Sequence, residues 1–198
     1  MRIAIVSSPR SGNSWVRSVL SAAFGAEQLP VHNYLDAYEK LPEKCILQLH
    51  WYREPNFQRF LEENGFRILT LARHPLDILV SVLKFSRHEL ETARWLEGNV
   101  EIPMDLGECS PASVNFLHYA TSWGAENLLS VTYQWWHDPK AIRVRYESLV
   151  ANPEKSFRKM AVELGLDDRD FSLELSRFNL AYFQALKNRH GWQGRPGL

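Results

Sequence analysis

The sequence predicts an α/β fold in three layers, with helices on both faces of a central parallel sheet of about four or five strands. Short apolar segments alternate with segments of helical periodicity along the 198 residues, which is the pattern of repeated strand–helix units. The predicted strands are apolar on both faces, as strands of a buried parallel sheet are. We expect one domain over residues 1–198, because this length suits a single hydrophobic core.

The boundaries of the elements follow from local signals. The predicted strands comprise residues 2–7, 44–50, 66–72 and 141–146. The predicted helices comprise residues 13–24, 55–64, 75–88, 111–137 (with a break near Gly124), 152–164 and 169–187. Asn13 or Ser14 can cap the first helix, and Gly65 ends the second. Pro75 and Pro153 stand near the first turns of their helices, where the missing N–H costs nothing.

Two segments lack a clear pattern. Residues 89–110 have weak periodicity and contain Gly98, Pro103 and Gly107. A loop of this length in a compact domain is usually functional or disordered, so we expect a lid over a ligand site. The tail, residues 188–198, is rich in Gly, Arg and Pro.

Composition excludes several classes of protein. The chain has 23 Lys and Arg and 23 Asp and Glu, and this balance argues against a general nucleic-acid binder. Cys45 and Cys109 have neither metal nor disulfide spacing and are expected to be core thiols in a reducing compartment. No signal peptide, membrane-spanning run or histidine metal motif is recognisable. We therefore expect a cytoplasmic protein with no integral membrane segment and no metal.

The turn after the first strand predicts a phosphate site. It reads Ser-Ser-Pro-Arg-Ser-Gly-Asn-Ser over residues 7–14, and small residues let backbone N–H groups approach an anion closely. The first turn of the following helix points its N–H groups the same way. The turn is therefore P-loop-like. The GxxxxGK(S/T) signature of ATP and GTP enzymes is absent, because Gly12 stands alone and Arg10 precedes it.

A second anion motif follows the third strand. Arg73 leaves the strand end in Arg-His-Pro-Leu-Asp, and Ser81 lies two turns into the next helix. A guanidinium and a hydroxyl can grip one phosphate. Taken alone, a surface ion pair between Arg73 and Asp77 with a solvated Ser81 is an alternative. The turn at residues 8–14, His50, Arg73 and Tyr146 all lie at the carboxyl ends of predicted strands, which is where ligands of such folds bind.

These segments together resemble the sulfotransferases that use PAPS (3′-phosphoadenylyl sulfate), a nucleotide with a 5′-phosphosulfate and a 3′-phosphate. Residues 8–15 are similar to the family's 5′-phosphosulfate loop, and residues 73–77 with Ser81 are similar to its 3′-phosphate motif. His50 ends the second strand, where the family places its catalytic histidine. Three further matching segments are 133–136, 145–153 and 189–194. The matches occur in order along nearly the whole chain.

The resemblance implies roles for individual residues. The N–H groups of Ser11, Gly12, Asn13 and Ser14 should hold the 5′-phosphate, and Arg73 and Ser81 the 3′-phosphate. Trp15 and Tyr146 should pack against or bond to adenine, and Arg189, His190 and Gly191 should close over the nucleotide. His50 would be the general base. Arg10 would face the sulfuryl group, where most cytosolic members have lysine and carbohydrate-type members have arginine.

Several alternatives stay open at this point. Trp15 could be part of the core between helix and sheet, and His50 could be a structural histidine at a strand end. The chain could be a P-loop nucleotide kinase-like enzyme, which the missing lysine disfavours, or a non-catalytic nucleotide-binding domain of the same fold. We expect the acceptor to be a small molecule or a glycan. Arg10 slightly favours a glycan, because carbohydrate-type members of the family also have arginine at this position. The oligomeric state is not predicted. Candidates for the acceptor pocket are Trp51, Tyr52, Trp95, Trp123 and His118.

Overall fold

A five-stranded parallel sheet forms the centre of the structure, a computed structural model that describes residues 1–38, 41–86 and 106–185. Its strands are β1 (Arg2–Val6), β2 (Glu27–Pro30), β3 (Cys45–Leu49), β4 (Phe66–Ala72) and β5 (Ile142–Arg145). Within the described residues they lie in the order β2-β3-β1-β4-β5, and every pair is parallel. The predicted fold class is confirmed, and four of the strands lie where the sequence places them.

The strand β2 was not predicted. Its sequence, Glu-Gln-Leu-Pro, is largely exposed and ends in proline, so it has none of the apolar character of the other strands. It lies at the edge of the sheet and pairs with β3 alone, with Glu27 opposite Cys45 and Pro30 opposite Gln48. An edge strand needs only one hydrogen-bonded side and tolerates polar residues and proline, which hides it from pattern analysis.

Nine helices within the described residues surround the sheet. They are α1 (Asn13–Phe24), α2 (Pro55–Glu63), α3 (Pro75–Ser86), α4 (Val114–Ala120), α5 (Trp123–Trp136), α6 (Tyr146–Ala151), α7 (Pro153–Glu163), α8 (Ser172–Arg177) and α9 (Leu180–Ala185). Short 3-10 turns cover Tyr34–Ala37 and Leu106–Glu108. The predicted helices over 111–137 and 169–187 are each divided in two within the described residues.

The position of the break before α5 corrects the prediction. The chain leaves helical geometry at residues 121–122 rather than at Gly124, which lies in the first turn of α5. Ser122 caps that turn, because its hydroxyl accepts a hydrogen bond from the N–H of Ala125 at 3.3 Å. Tyr146 also differs from expectation, since it opens α6 instead of ending the last strand.

Alternating side chains of each strand enter two separate cores. Ala4 and Val6 of β1 face one core, which contains the buried residues of α2, α3, α4 and α5. Ile3 and Ile5 face the other, which contains those of α1, α6 and α7. This alternation has the period of two that β geometry imposes, and it produces the three predicted layers. Because the strands are parallel, their carboxyl ends, and the starts of the helices that follow them, lie along the same edge of the sheet.

Some predictions fall on residues that are not described. Residues 89–105 of the candidate lid and the whole tail, 188–198, lie outside the described ranges. Among the described helices, none has the length and apolar character required to cross a bilayer. Cys45 and Cys109 are both buried thiols.

Candidate active site

Buried hydrogen bonds hold the turn between β1 and α1, residues 7–12, which we call the phosphate loop. The Ser7 hydroxyl accepts from the N–H of Leu71 at 3.0 Å and donates to Asn13 Oδ1 at 2.9 Å. The Asn13 amide donates in turn to the carbonyl of Ser8 at 3.0 Å. These bonds tie the loop to β4 and to the first residue of α1, so its shape is set before any ligand binds.

A threonine of α5 fixes the loop from the other side. The N–H of Ser8 donates to Thr132 Oγ1 at 2.8 Å, and that hydroxyl donates to the carbonyl of Leu71 at 3.1 Å. Sequence reasoning missed Thr132, because a single threonine in an amphipathic helix carries no signal of a distant loop. Its role depends on the tertiary arrangement alone.

The backbone of the loop turns its N–H groups outward. Arg10 has φ 65°, which is uncommon for a residue with a side chain, and Gly12 has φ 96°. The carbonyl of Gly12 accepts the N–H groups of Trp15 and Val16 at 3.1 and 3.2 Å. Within the described part of the chain, no hydrogen bond engages the N–H groups of Ser11 to Ser14. These donors can therefore converge on an anion.

Replacing Gly12 by alanine should destabilise the protein strongly. An added Cβ would lie 2.8 Å from Tyr146 Cδ2, and the left-handed backbone adds strain for any side chain. The two effects together should lower the free energy of unfolding by about 2–4 kcal/mol. Gly25→Ala is the matched control, because its φ is also positive (61°) and nothing lies within 4 Å of its Cβ. Urea denaturation should show a loss of only about 1 kcal/mol there, and equal losses would contradict the contact with Tyr146.

Two arginines meet over the loop. Arg10 Nε donates to the Ser81 hydroxyl at 3.1 Å, and its guanidinium lies 4.7 Å from the ring centre of Phe85. Arg73 Nη1 donates to the carbonyl of Arg10 at 3.0 Å, and its guanidinium lies 4.7 Å from the ring centre of Tyr146. The structure thus joins Ser81 to Arg10, whereas the sequence motif suggested a direct partnership with Arg73.

No carboxylate of the described residues balances the charges of these two arginines. Within the described residues, neither Arg10 nor Arg73 forms an ion pair, and this includes the Arg73–Asp77 pair considered above. Burial, with the nearby charge of Arg73, lowers the pKa of Arg10 to about 10. Arg10 is therefore still a cation at neutral pH, and an anion bound between the two guanidinium groups would relieve their repulsion.

Three buried polar atoms at this place have no hydrogen-bond partner in the described part of the chain. They are Ser11 Oγ, Trp15 Nε1 and Arg73 Nε. Buried groups of this kind are rare, and each costs about 1–3 kcal/mol. Their position around the phosphate loop indicates that a ligand rich in acceptor oxygens supplies the partners. The ring of Trp15 packs edge-on against Phe157 of the core, 5.8 Å between centres, as the core alternative predicts.

His50 follows β3 and is half-buried beside the loop. Its Nδ1 lies 2.7 Å from the carbonyl of Ser7, an obligatory acceptor, so Nδ1 carries the proton and Nε2 the basic lone pair. Burial, with smaller contributions from the nearby His32, Arg10 and Arg17, lowers the pKa of His50 to about 4, against the opposing hydrogen bond to Ser7. The imidazole is therefore neutral at pH 7 and able to accept a proton.

The remaining candidates are distributed as follows. The ring of Tyr146 lies against Gly12 and Arg73, so this residue belongs to the site.

The described candidates for the acceptor pocket differ in how far they are buried. Trp51 packs edge-on against Tyr34, 5.5 Å between ring centres, and Trp123 is 63% exposed at the start of α5. Tyr52 packs partly buried against the same core as Trp51, and His118 is exposed on α4. Trp95, Arg189, His190 and Gly191 lie outside the described residues. In the described ranges, no group of three or more His, Cys, Asp or Glu is arranged to hold a metal ion.

Solved structures with the same fold support this arrangement of elements. Mouse sulfotransferase SULT7A1 complexed with PAP, the desulfated form of PAPS, is similar over 99% of this chain and 75% of its own, with TM-score 0.70 and 16% identity. Retinol dehydratase in complex with androsterone and PAP is similar over 93% and 66%, with TM-score 0.56 and 16% identity. A sulfotransferase from Alicyclobacillus acidocaldarius is similar over 91% and 94%, with TM-score 0.52 and 12% identity.

A family model provides the assignment that these distant structural likenesses do not. No curated protein sequence matches the chain. The model described as "Sulfotransferase domain" matches residues 1–190, which is nearly the full length and includes both anion motifs. The resemblance to PAPS-dependent sulfotransferases is therefore confirmed, and the chain belongs to the sulfotransferase family.

Proposed function

We propose that this protein transfers a sulfuryl group from PAPS to a hydroxyl or amine of a small-molecule or glycan acceptor. The observation that carries the proposal is the pair of arginines over the phosphate loop, Arg10 and Arg73, whose charges no described carboxylate balances. The buried unpartnered donors at the same place support it. A nucleotide with two separate anionic groups would satisfy all of them.

The residues of the site fall into two groups, one for each end of PAPS. The N–H groups of Ser11, Gly12, Asn13 and Ser14 bind the 5′-phosphate at the start of α1. Arg73 and Ser81 bind the 3′-phosphate, and Trp15 and Tyr146 contact the base. Arg10 reaches the sulfuryl end of the nucleotide.

His50 and Arg10 carry the chemistry. The acceptor O–H or N–H gives its proton to His50 Nε2, and the acceptor atom forms a bond to sulfur. The bond between sulfur and the oxygen of the 5′-phosphate breaks in line, and the electron pair stays on that oxygen. Arg10 stabilises the charge that develops there. Positioning and electrostatic stabilisation are the main contributions of a protein to such a transfer, and no metal ion takes part in the proposed reaction.

A transfer assay with ³⁵S-labelled PAPS tests the proposal directly. Phenols, amines and neutral and acidic glycans are offered in parallel, and labelled product is separated by chromatography. Transfer to any class supports the proposal. Magnesium-dependent turnover of ATP instead would favour the kinase-like alternative, and PAP binding without any transfer would favour a non-catalytic binding domain.

Replacing Arg73 by glutamine should weaken PAP binding by about 10–100-fold, since hydrogen bonds to charged groups are worth about 1.5–3 kcal/mol. The substitution removes the cation next to Tyr146 and keeps an amide donor. Isothermal titration calorimetry measures the effect. Arg59→Gln is the matched control, because Arg59 is exposed on α2, on the opposite face of the sheet from α1. Equal affinities in the two variants would remove Arg73 from the nucleotide site.

A further inference from the structure

A third cation, Arg17, lies at the same edge of the sheet and has no part in the transfer described above. It is half-buried on α1, one turn after Ser14. Its Nε donates to Gln28 Oε1 at 2.8 Å, and its Nη1 donates to Gln48 Oε1. Gln28 belongs to β2 and Gln48 to β3, so the two amides hold the guanidinium across this neighbouring pair of strands.

Among the described residues, nothing compensates the charge of Arg17. Its two partners are neutral amides, and no carboxylate of the described residues pairs with it. In the same part of the chain, Nη2 makes no hydrogen bond to the protein. Burial lowers the pKa of Arg17 to about 10, so the group is still a cation at neutral pH. A fixed guanidinium with one nitrogen available is suited to a carboxylate, sulfate or phosphate.

The position of Arg17 relative to His50 distinguishes it from the other arginines. His50 feels the charges of both Arg10 and Arg17. Gln48, which accepts a hydrogen bond from Arg17, lies two residues before His50, so Arg17 is held next to the histidine from the α1 side of the sheet. Arg10 is held instead by Ser81 and Phe85 of α3, on the other side of the sheet. If Arg10 and Arg73 hold the sulfuryl donor, Arg17 is the cation beside His50 that is left for the acceptor.

We propose that Arg17 binds an anionic group of the acceptor, so that this enzyme acts on hydroxyl or amine compounds that also carry a carboxylate, sulfate or phosphate. The inference rests on the proposed sulfuryl transfer, because that reaction defines the acceptor side of His50. Gln28 and Gln48 act as positioning residues, since they fix the guanidinium before the acceptor arrives and reduce the entropy that binding must overcome.

Matched acceptor pairs test this assignment. Phenyl β-glucoside and phenyl β-glucuronide differ only in a hydroxymethyl group and a carboxylate, and 4-hydroxybenzyl alcohol and 4-hydroxybenzoate differ in the same way. We expect wild type to favour the anionic member of at least one pair in kcat/KM with PAPS. Arg17→Gln should reduce the ratio of anionic to neutral kcat/KM by about 10–100-fold. Arg17→Lys should restore part of the ratio, and the exposed Arg59→Gln should leave it unchanged.

Calorimetry separates the possible failures. Binding of the anionic members to the PAP-loaded protein is measured for wild type and Arg17→Gln, so the result does not depend on turnover. An unchanged ratio in the variant, an equal loss for both members of a pair, or no binding of any anionic probe would each overturn the role of Arg17. Absence of PAP binding to wild type would instead contradict the proposed function itself. Unaltered thermal unfolding of Arg17→Gln confirms that the variant is folded.

Discussion

Replacing His50 by alanine should lower kcat by about 10²–10⁴-fold, the usual contribution of a positioned general base. The affinity for PAP should change little, because His50 lies beside the phosphate loop and not within the set of donors that surround it. His50→Asn is the sharper variant. The Asn amide can still donate to the carbonyl of Ser7, as Nδ1 does at 2.7 Å, but it offers no basic nitrogen in place of Nε2. Both variants should be about equally slow.

The two variants distinguish a base from a structural histidine. If the bond to Ser7 is all that matters, His50→Asn will retain most of the activity and only His50→Ala will lose it. The pH profile is an independent check. The pKa of His50 is lowered to about 4 from an ordinary value of 6.5, so the folded protein keeps the imidazole neutral as the pH falls through 6. We expect kcat/KM for PAPS, which reports the free enzyme, to stay level through this range and to fall near pH 4 as Nε2 is protonated. A fall centred near pH 6.5 would contradict the assigned environment.

Replacing Arg10 by alanine should lower kcat by about 10²–10³-fold, as removal of a donor to developing charge does in other enzymes. Arg10 is held rigidly, since its Nε donates to Ser81 at 3.1 Å and its guanidinium lies on Phe85. Such a group needs no rearrangement when charge appears on the leaving oxygen. The loss should be larger in kcat than in PAP affinity, because this interaction is strongest in the transition state.

Arg10→Lys tests what the guanidinium adds to the charge. Lysine keeps the positive charge but lacks the fork that bonds Ser81 and the ligand at once, so its kcat should fall between those of wild type and alanine. Steady-state kinetics with PAPS and a competent acceptor give both values. Activity of Arg10→Ala within about fivefold of wild type would mean that another cation faces the leaving group, which would contradict the role proposed for Arg10.

The sequence predicted the buried part of the fold well, because buried strands are apolar runs and helix ends carry Pro, Gly, Asn or Ser. It missed β2, whose polar residues are acceptable only because the strand lies at an edge. It misplaced the break before α5, because Gly124 is a stronger signal in a sequence than Ser122, which makes the actual cap. Both errors concern places where tertiary position decides what a residue does.

The candidate site was predicted as a set of motifs but not as a network. Motifs identify residues that follow strands, so Arg10, Arg73, Tyr146 and His50 could be found. The hydrogen bonds between segments that are far apart in the sequence could not be predicted, because no motif marks them. Thr132 on α5 supports the phosphate loop, and Arg10 rather than Arg73 bonds Ser81. Arg17 also carried no motif, and it became a candidate only when Gln28 and Gln48 were seen to hold it.

The phosphate loop with Arg10 and Arg73 is proposed to bind a nucleotide through two separate anionic groups. A calorimetric titration of the wild-type protein compares PAP with 5′-AMP, which lacks the 3′-phosphate. We predict that PAP binds with a Kd below about 100 μM and that 5′-AMP binds at least about tenfold more weakly. Equal affinities for the two nucleotides, or no binding of PAP at about 100 μM, would contradict the claim.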